Sequence, residues 1–174
     1  MIVVDGGSED GTAQLAAGLC DRVLVAPRGR EARGEVLVFL HADTRLPPNA
    51  DNLIHGLWGR FDVHIDGSHP LLKVVAWSMN LRSRLTGIAT GDQAIFVRRE
   101  AFPGFPEIPL MEDVAFSKAM KRRASPVCLR AQVLTSGRRW ESRGVLRTIV
   151  LMWQLRAMYA MGVSAEELAR RYER

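Results

Sequence analysis

The sequence predicts an α/β layer fold with a largely parallel sheet, and three observations lead to this prediction. Short apolar segments alternate along the chain with segments in which apolar residues recur at helical spacing. The segment 35–40 is apolar after its first residue, which is typical of a strand buried on both faces of a parallel sheet. A length of 174 residues, 47% of them hydrophobic and 25% charged, fits a single domain that spans 1–174.

The individual elements follow from local patterns, taken in chain order. Continuous or alternating apolar runs predict strands at 1–4, 21–26, 35–40, 60–66, 93–97 and 126–133. Helical spacing and start signals predict helices at 8–20, 49–59, 71–85, 111–123 and 141–161. A capping-box pattern at Ser164 predicts one further short helix.

Composition limits the classes of function that the chain can have. The 24 Lys and Arg residues exceed the 19 Asp and Glu residues by a formal net charge of +5. This excess is too small to indicate a nucleic-acid binder, so no nucleic-acid partner is expected. The two cysteines, Cys20 and Cys128, are far apart and form no metal-binding spacing, which predicts reduced thiols in a cytoplasmic protein.

A glycine-rich turn with the sequence DGGSEDGT follows the first predicted strand. Parallel α/β sheets place ligands beyond the carboxyl ends of their strands, and glycine lets the backbone approach a ligand closely. A carboxylate at Asp5 can accept hydrogen bonds from a ribose or a nucleobase. The same pattern is compatible with a tight structural turn, or with the cofactor turn of a methyltransferase that binds S-adenosylmethionine.

His41 and Asp43 follow the predicted strand at 35–40. Residues i and i+2 of an extended segment point the same way, so both side chains can reach one divalent cation. Oxygen ligands suit Mg²⁺ or Mn²⁺, and an imidazole shifts the choice toward Mn²⁺. Such an ion can bridge the phosphates of a nucleotide. The alternative is that the two side chains cap the turn before Pro47 and Pro48.

Two later groups of polar residues are also candidates for a site. Glu112 and Asp113 open a predicted helix, where they either cap its N-terminus or supply a general base for an acceptor hydroxyl. Arg138, Arg139 and Trp140 can neutralise a diphosphate leaving group and stack on a sugar or base. The alternative for this second group is a solvated arginine pair beside a core tryptophan.

Taken in order, these segments resemble the motifs of the family 2 glycosyltransferases. VVDGGSEDGT is similar to the donor turn of that family, and FLHADT is similar to its DxD metal motif with His41 in the first position. GDQAIFVRR resembles the family's acceptor-side strand, MEDVAF its ED motif, and RRW the end of its QxxRW signature. The set looks closest to the radical-SAM/selenodomain-associated transferases, over essentially the whole chain.

The resemblance implies a GT-A fold that lacks the first strand-helix unit of the family. It implies inverting transfer of a sugar from a UDP- or GDP-type nucleotide-diphosphate sugar to a hydroxyl acceptor. Asp43 and His41 would bind Mn²⁺ or Mg²⁺, Asp113 would be the catalytic base, and Glu112 would be its supporting acid. Contacts to the substrates would come from Asp5, Gly7, Ser8, Asp10, Arg28, Gly91, Asp92, Arg138, Arg139 and Trp140.

The predicted helix at 141–161 is apolar on nearly all faces. One expectation is a core helix or an interface that forms a homodimer. The other is an interfacial helix that presents the enzyme to a lipid-linked acceptor, with Arg143 and Arg147 toward the head groups. The expected location is cytoplasmic, with at most peripheral contact to the inner face of a membrane. A non-catalytic GT-A-like binding module and an S-adenosylmethionine-dependent methyltransferase are the alternative functions.

Overall fold

The computed structural model describes residues 2–5, 22–25 and 34–172, the first two segments by their backbone alone. These residues form a mixed α/β protein. The strands are Ile2–Asp5 (β1), Arg22–Val25 (β2), Val36–Phe39 (β3), Thr44–Arg45 (β4), Trp58–Asp66 (β5), Ile95–Arg98 (β6) and Val127–Ser136 (β7). The α-helices are Ala50–Leu53 (α1), Leu71–Thr86 (α2), Glu112–Lys121 (α3), Arg138–Arg143 (α4), Val145–Ala160 (α5) and Ala165–Tyr172 (α6). Short 3₁₀ helices, Gly91–Gln93 and Arg99–Ala101, flank β6.

The strands belong to two sheets. β1 and β2 pair in parallel, from Ile2 opposite Arg22 to Asp5 opposite Val25. The larger sheet has the strand order β3-β6-β5-β7-β4. Its β5–β7 pairing is parallel, whereas the β3–β6, β6–β5 and β7–β4 pairings are antiparallel. The mixed α/β class is confirmed, but the largely parallel sheet predicted from the sequence is wrong for the five-stranded sheet.

The difference arises from where β6 enters the sheet. β3 and β5 run in the same direction, but β6 lies between them and runs opposite to both. The alternation of apolar runs and helical patterns in the sequence indicates which segments form strands. It does not determine the direction in which each strand enters the sheet. β4 likewise pairs antiparallel with β7 at the sheet edge.

The larger sheet is covered by helices because its strands carry apolar residues on both faces. Successive side chains of a strand alternate between the two faces of the sheet. Phe96 therefore packs in the hydrophobic cluster that contains Leu72 and Val75 of α2, which we call the core cluster of α2. Ile95 and Val97 pack in the cluster that contains Phe116 of α3. A third cluster, formed by the α3, α5 and α6 region, contains Met111, Val114, Leu155 and Leu168. The helix α3 is therefore packed on two sides, which fixes the position of its first turn.

Two predicted helices differ from the structure. The helix predicted at 49–59 is the single turn α1, because Trp58 and Gly59 belong to β5 instead. The helix predicted at 141–161 is divided into α4 and α5 at Gly144, whose φ of 84° is incompatible with an α-helix.

The remaining predictions within 34–172 agree with the structure to within a few residues. The strands predicted at 35–40, 60–66, 93–97 and 126–133 correspond to β3, β5, β6 and β7. The helices predicted at 71–85 and 111–123 correspond to α2 and α3. Ser164 accepts a hydrogen bond from the backbone N–H of Glu167 (3.3 Å) at the start of α6. Cys128 is a free, half-buried thiol. The predicted helix 8–20, with Cys20, lies outside the described residues.

The outward face of α5 carries large apolar side chains. Leu146, Val150 and Trp153 are 67%, 54% and 72% exposed, and Met161, the residue that follows α5, is 75% exposed. None of the helices in the described part of the chain combines the length and the apolar character that a bilayer-spanning helix requires. No contact in that part shows what covers this face, so the homodimer through 141–161, the lipid-linked acceptor and the peripheral membrane contact stay predictions.

Candidate functional site

His41 and Asp92 meet because β3 and β6 pair antiparallel. The pairing stops just before His41 and just after Asp92, so the chain that leaves β3 faces the chain that enters β6. The Nδ1 atom of His41 lies 3.2 Å from the Oδ1 atom of Asp92, and both side chains are partly exposed. The hydrogen bond that His41 donates to Asp92 raises the pKa of His41, although burial opposes the shift, and the charges of Asp92, Asp43 and Asp113 add to the rise. His41 therefore lies in the field of three carboxylates.

Asp113 lies in the first turn of α3, and its carboxyl is half-buried. Its Oδ2 atom accepts a hydrogen bond from the N–H of Gly91 (3.0 Å), and its Oδ1 atom accepts one from the N–H of Val114 (2.7 Å). Burial raises the pKa of Asp113 and the negative charge of Glu112 adds to this, while the two backbone donors and Arg156 oppose it. A carboxyl that holds its proton more tightly than usual is suited to act as a general base.

The 3₁₀ helix Gly91–Gln93 joins His41 and Asp113 into one cluster. Gly91 donates its N–H to Asp113, and the next residue, Asp92, contacts the imidazole. A Cβ atom built at Gly91 would lie far inside contact distance of the Nε2 and Cε1 atoms of His41. Only glycine leaves room for the ring in this position, which gives a physical reason for Gly91 in the predicted site.

A buried polar network holds this 3₁₀ helix against the core. Thr90 and Gln93 form a capping box, in which the N–H of Thr90 donates to Oε1 of Gln93 (3.2 Å). Gln93 donates in turn to Oδ1 of Asn80 on α2 (3.3 Å). Asn80 accepts from the N–H of Val63 (2.9 Å) and donates to its carbonyl oxygen (3.0 Å) on β5. The position of Asp92 is therefore fixed through α2 by the central strand.

The fully buried guanidinium of Arg60 extends the network and was missed by the sequence analysis. Arg60 pairs with Asp62, donates to Oγ of Ser83 (3.0 Å) and donates to the carbonyl oxygen of Asn80 (3.1 Å). Arg84 donates to both carboxylate oxygens of Asp62, at 2.8 and 2.7 Å. A buried charge is tolerated only when it is paired and hydrogen-bonded, as these are. Arg60 and Asp62 alternate with apolar residues along β5, a pattern that predicts polar side chains on a solvated face. The sequence therefore gave no indication that this charged cluster is buried.

Two residues beside the site adopt the left-handed conformation that non-glycine residues avoid. Ala94 has a φ of 47° directly after Gly91–Gln93, and Met111 has a φ of 67° directly before α3. Each such conformation costs about 1 kcal/mol or more and persists only where the surrounding structure enforces it. In the described part of the chain, Asn49 is the third non-glycine residue with positive φ. Backbone strain is thus concentrated at the two segments that carry Asp92 and Asp113, as is common at functional sites.

Two arginines, Arg82 and Arg156, interact electrostatically with Asp113 and were also missed from the sequence. Arg82 extends from α2, and its Nε and Nη2 atoms are buried without a hydrogen-bond partner among the described residues. Burial lowers the pKa of Arg82 to about 10, and the positive charge of Arg156 acts in the same direction. Burial also lowers the pKa of Arg156 on α5, while the charges of Asp113 and Asp92 oppose the shift. A helical arginine gives no pattern by which the sequence could have placed it at this site.

His41 and Asp43 are the predicted metal ligands. The described residues contain no group of three or more His, Cys, Asp or Glu side chains arranged to hold a metal ion. Two donors, an imidazole and a carboxylate, fit the chemistry of an Mg²⁺ or Mn²⁺ ion that takes its other ligands from a diphosphate and water. A carboxylate on the second ring nitrogen, as Asp92 provides, is a usual support for a metal-binding histidine.

The predicted phosphate and acceptor clamp lies in α4, where its members have other contacts. Arg139 donates from Nη1 to the hydroxyl of Tyr172 (3.0 Å), and Trp140 packs against the core cluster of α2. Arg138 is exposed. β3 and β7 run in the same direction, so their carboxyl ends lie at the same end of the sheet. The residues that follow β7 therefore lie at the same end as those that follow β3. Within the described part of the chain no hydrogen bond or ion pair joins them to His41 or Asp113.

The predicted donor turn cannot be compared in the same way. Asp5 ends β1, and only its backbone is described. The other predicted contacts of the donor, namely Gly7, Ser8, Asp10 and Arg28, lie outside the described residues.

Two surface grooves lie away from the cluster of His41, Asp92 and Asp113. One, of about 660 Å³, lies between α2 and strands β5 and β7 and is lined by Trp77, Arg130 and neighbouring residues. The other, of about 490 Å³, lies on α5 and α6. Neither groove includes a residue of that cluster among its lining side chains.

Comparison with known proteins identified no relative of this chain. No family model, no curated protein and no solved structure matches it. Function is therefore inferred from the geometry of the site and from the motifs of the sequence.

Proposed function

We propose that the chain transfers a sugar from a nucleotide-diphosphate sugar to a hydroxyl acceptor, with inversion, on a GT-A-like fold. One observation supports this more than any other. His41, Asp92 and Asp113, from three separate motifs, converge around Gly91 and include one half-buried carboxyl with a raised pKa and one imidazole. Sugar transfer of this kind requires a general base and a charge-stabilising group beside each other, and that convergence supplies candidates for both.

Asp113 is the proposed catalytic base. As the acceptor oxygen forms its bond to the anomeric carbon, the bond from that carbon to the diphosphate oxygen breaks, and Asp113 takes the hydroxyl proton. The raised pKa of Asp113 makes the carboxylate a stronger base than an exposed aspartate. Its hydrogen bonds from Gly91 and Val114 orient both oxygens and leave a lone pair on each for the incoming proton. Glu112, the proposed supporting acid, strengthens the base through its negative charge.

The nucleotide-sugar donor is proposed to bind on the side of His41 and Asp43. These two residues would hold Mn²⁺ or Mg²⁺, and Asp92 would orient the imidazole through its hydrogen bond. When bound, the ion supplies positive charge that stabilises the departing diphosphate. The remaining proposed contacts to donor and acceptor are Asp5, Gly7, Ser8, Asp10, Arg28, Gly91, Arg138, Arg139 and Trp140.

Nucleotide binding is the first experiment. Calorimetry with UDP or GDP in the presence of Mn²⁺ is expected to detect binding that His41→Ala and Asp43→Asn weaken. Titration with S-adenosylmethionine is the matched test of the methyltransferase alternative, which gives the cluster at His41 no role. Binding of S-adenosylmethionine without any binding of a nucleoside diphosphate would overturn the proposal in favour of that alternative.

Catalysis is tested separately by the rate of donor hydrolysis or transfer. Asp113→Asn is expected to lower the rate by a factor of about 10² to 10⁴, the usual contribution of a general base. Asp51→Asn, at an exposed carboxylate in α1, is the control and is expected to retain the wild-type rate. If Asp113→Asn and Asp43→Asn both leave the rate unchanged, or if no donor is turned over, the chain is a binding module and not a transferase.

A further inference from the structure

Helix α2 carries a row of apolar side chains on the face that is turned away from the protein. Its opposite face packs in the core cluster of α2 through residues such as Leu72 and Met79. The outward residues recur at helical spacing, and we call them the α2 row: Val74, Trp77, Leu81 and Leu85. Val74, Trp77 and Leu85 are 56%, 64% and 76% exposed. The outer face of a helix in a globular protein is normally polar, so the α2 row requires an explanation.

A second apolar row lies on the neighbouring helix α5. Leu146, Val150 and Trp153, which we call the α5 row, recur at helical spacing and are exposed. On the inner side of α5, Val145 and Ile149 pack in the core cluster of α2, and the two helices contact each other. The α2 row and the α5 row therefore lie on the outer side of one pair of helices.

The charged residues of these two helices are all basic. The sequence of α2 contains one lysine and two arginines, the sequence of α5 contains two arginines, and neither contains an aspartate or a glutamate. Each of the other α-helices in the described part of the chain contains at least one acidic residue. Exposed apolar rows and purely positive charge thus coincide on the same two helices.

Several cations beside the two rows have no acidic partner. Lys73 and Arg130 line the groove of about 660 Å³ beside the α2 row, and Arg147 lines the groove of about 490 Å³ beside the α5 row. The ion pairs of the described residues include none of these three cations. Asp62, the carboxylate in the first groove, is bound at both oxygens by Arg84. The surface around both rows is therefore suited to an anionic partner.

We propose that the α2 row and the α5 row dock the protein on an anionic lipid bilayer. The apolar side chains would enter the boundary between head groups and acyl chains, and the cations beside them would contact lipid phosphates. Two of the exposed side chains, Trp77 and Trp153, are of the residue type that is enriched at this boundary. A second copy of the chain fits this surface less well, because a symmetric interface would place the unpaired cations of one copy against those of the other.

Co-sedimentation with vesicles tests the proposal directly. The wild-type protein is expected to bind vesicles of phosphatidylglycerol in phosphatidylcholine about tenfold more tightly than pure phosphatidylcholine vesicles, and salt should weaken the binding. Trp77→Gln and Trp153→Gln should each weaken binding about tenfold, because binding scales with the apolar area that enters the interface. Leu53→Gln is the matched control, since Leu53 is an exposed apolar residue of α1 outside both rows.

The cations are tested in the same way. Lys73→Gln and Arg147→Gln are each expected to weaken binding to the anionic vesicles about fivefold and to leave binding to phosphatidylcholine unchanged. Arg122→Gln, at an exposed arginine that follows α3, is the matched control. Equal binding of the wild-type protein to both kinds of vesicle would overturn the proposal, because the cations would then have no role.

Tryptophan fluorescence shows whether the rows themselves enter the bilayer. Brominated phospholipids quench a tryptophan only at close range, so they should quench Trp77 and Trp153 and not Trp58, which is fully buried in the protein. The double variant Trp77→Phe/Trp153→Phe keeps both rows apolar. It is expected to retain vesicle binding and to lose most of the quenching. Quenching that is the same in this variant as in wild type would overturn the proposal.

Other occupants of the two rows give different results. A second copy of the chain would form a dimer that Trp77→Gln and Trp153→Gln dissociate in sedimentation velocity, without binding to vesicles. Another segment of the chain on the rows would leave a monomer that does not bind vesicles. Either result overturns the proposal. Vesicle binding is measured without nucleotide or metal ion, so its outcome is independent of whether the protein transfers a sugar.

Discussion

The Nδ1 atom of His41 lies 3.2 Å from the Oδ1 atom of Asp92, although the two residues are far apart in the sequence. Their contact follows from the antiparallel pairing of β3 with β6, which places the end of one strand beside the start of the other. The contact joins the segment that carries the predicted metal ligands to the segment that binds Asp113 through Gly91. Changes at any of these positions are therefore expected to affect the others.

Gly91→Ala is expected to displace the ring of His41 without altering any carboxylate. The new Cβ atom would overlap the Nε2 and Cε1 atoms of the imidazole, and the partly exposed ring can move outward. Its contact with Asp92 would then be lost. NMR titration of the His41 ring should show a pKa closer to the ordinary histidine value than in wild type. Gly34→Ala, at an exposed glycine outside the site, is the control. If the pKa of His41 is the same in Gly91→Ala as in wild type, the added methyl group does not displace the imidazole and the prediction is wrong.

Asp92→Asn is expected to lower stability in a pH-dependent way. The contact with Asp92 raises the pKa of His41 above 6.5 in the folded state. The resulting stabilisation is fully present below pH 6.5 and is lost as the pH rises through the raised pKa. The free energies of unfolding of wild type and Asp92→Asn should differ by up to about 0.5 kcal/mol at pH 5.5, because both side chains are partly exposed. This contribution should be absent at pH 9, and urea titrations at the two pH values measure it. A difference that grows toward high pH would contradict the assignment.

The sequence predicted the elements better than it predicted their arrangement. Apolar periodicity reports burial, so the strands at 35–40 and 60–66 and the helix at 71–85 were located to within a few residues. Periodicity carries no information on strand direction, and the antiparallel insertion of β6 was not foreseen. The break at Gly144 was missed because a glycine inside an apolar run does not reveal its φ.

The candidate site was predictable only in part, for a related reason. His41 and Asp113 were selected because their residue types and order resemble known motifs. Contacts such as that between His41 and Asp92 depend on the register of two strands, which the sequence does not state. The arginines at positions 82 and 156 lie on two different helices and interact electrostatically with Asp113, and nothing in their own segments distinguishes them from solvated arginines.

Asn80→Ala is expected to destabilise the fold and to loosen the site together. The side chain of Asn80 hydrogen-bonds the N–H and the carbonyl oxygen of Val63 and accepts from Gln93. Truncation leaves these buried groups without partners, at a cost of about 3 kcal/mol in the free energy of unfolding. Urea denaturation should show this loss, while Ser78→Ala, at an exposed position of α2, should change stability by less than about 0.5 kcal/mol. A loss as small for Asn80→Ala as for Ser78→Ala would contradict the role given to the network.

Asp113→Asn is expected to separate stability from activity. Burial raises the pKa of Asp113 in the folded state, so the folded protein binds this proton more tightly than the unfolded chain does. The contribution of the wild-type aspartate to stability is therefore greatest at low pH. It decreases as the pH rises from the ordinary value of 3.8 through the raised pKa.

Asparagine does not titrate, so the stability of Asp113→Asn relative to wild type should improve between pH 4 and pH 7. The amide oxygen can accept only one of the two hydrogen bonds from Gly91 and Val114, so the variant loses the other. The cost of this lost hydrogen bond is nearly the same at each pH. The pH trend, measured by urea denaturation, is therefore the diagnostic quantity and not the absolute difference. Under the proposed function the same variant loses sugar transfer. A variant that becomes relatively less stable as the pH rises would show that the carboxylate is stabilised by its surroundings, and Asp113 would then be a helix cap and not a base.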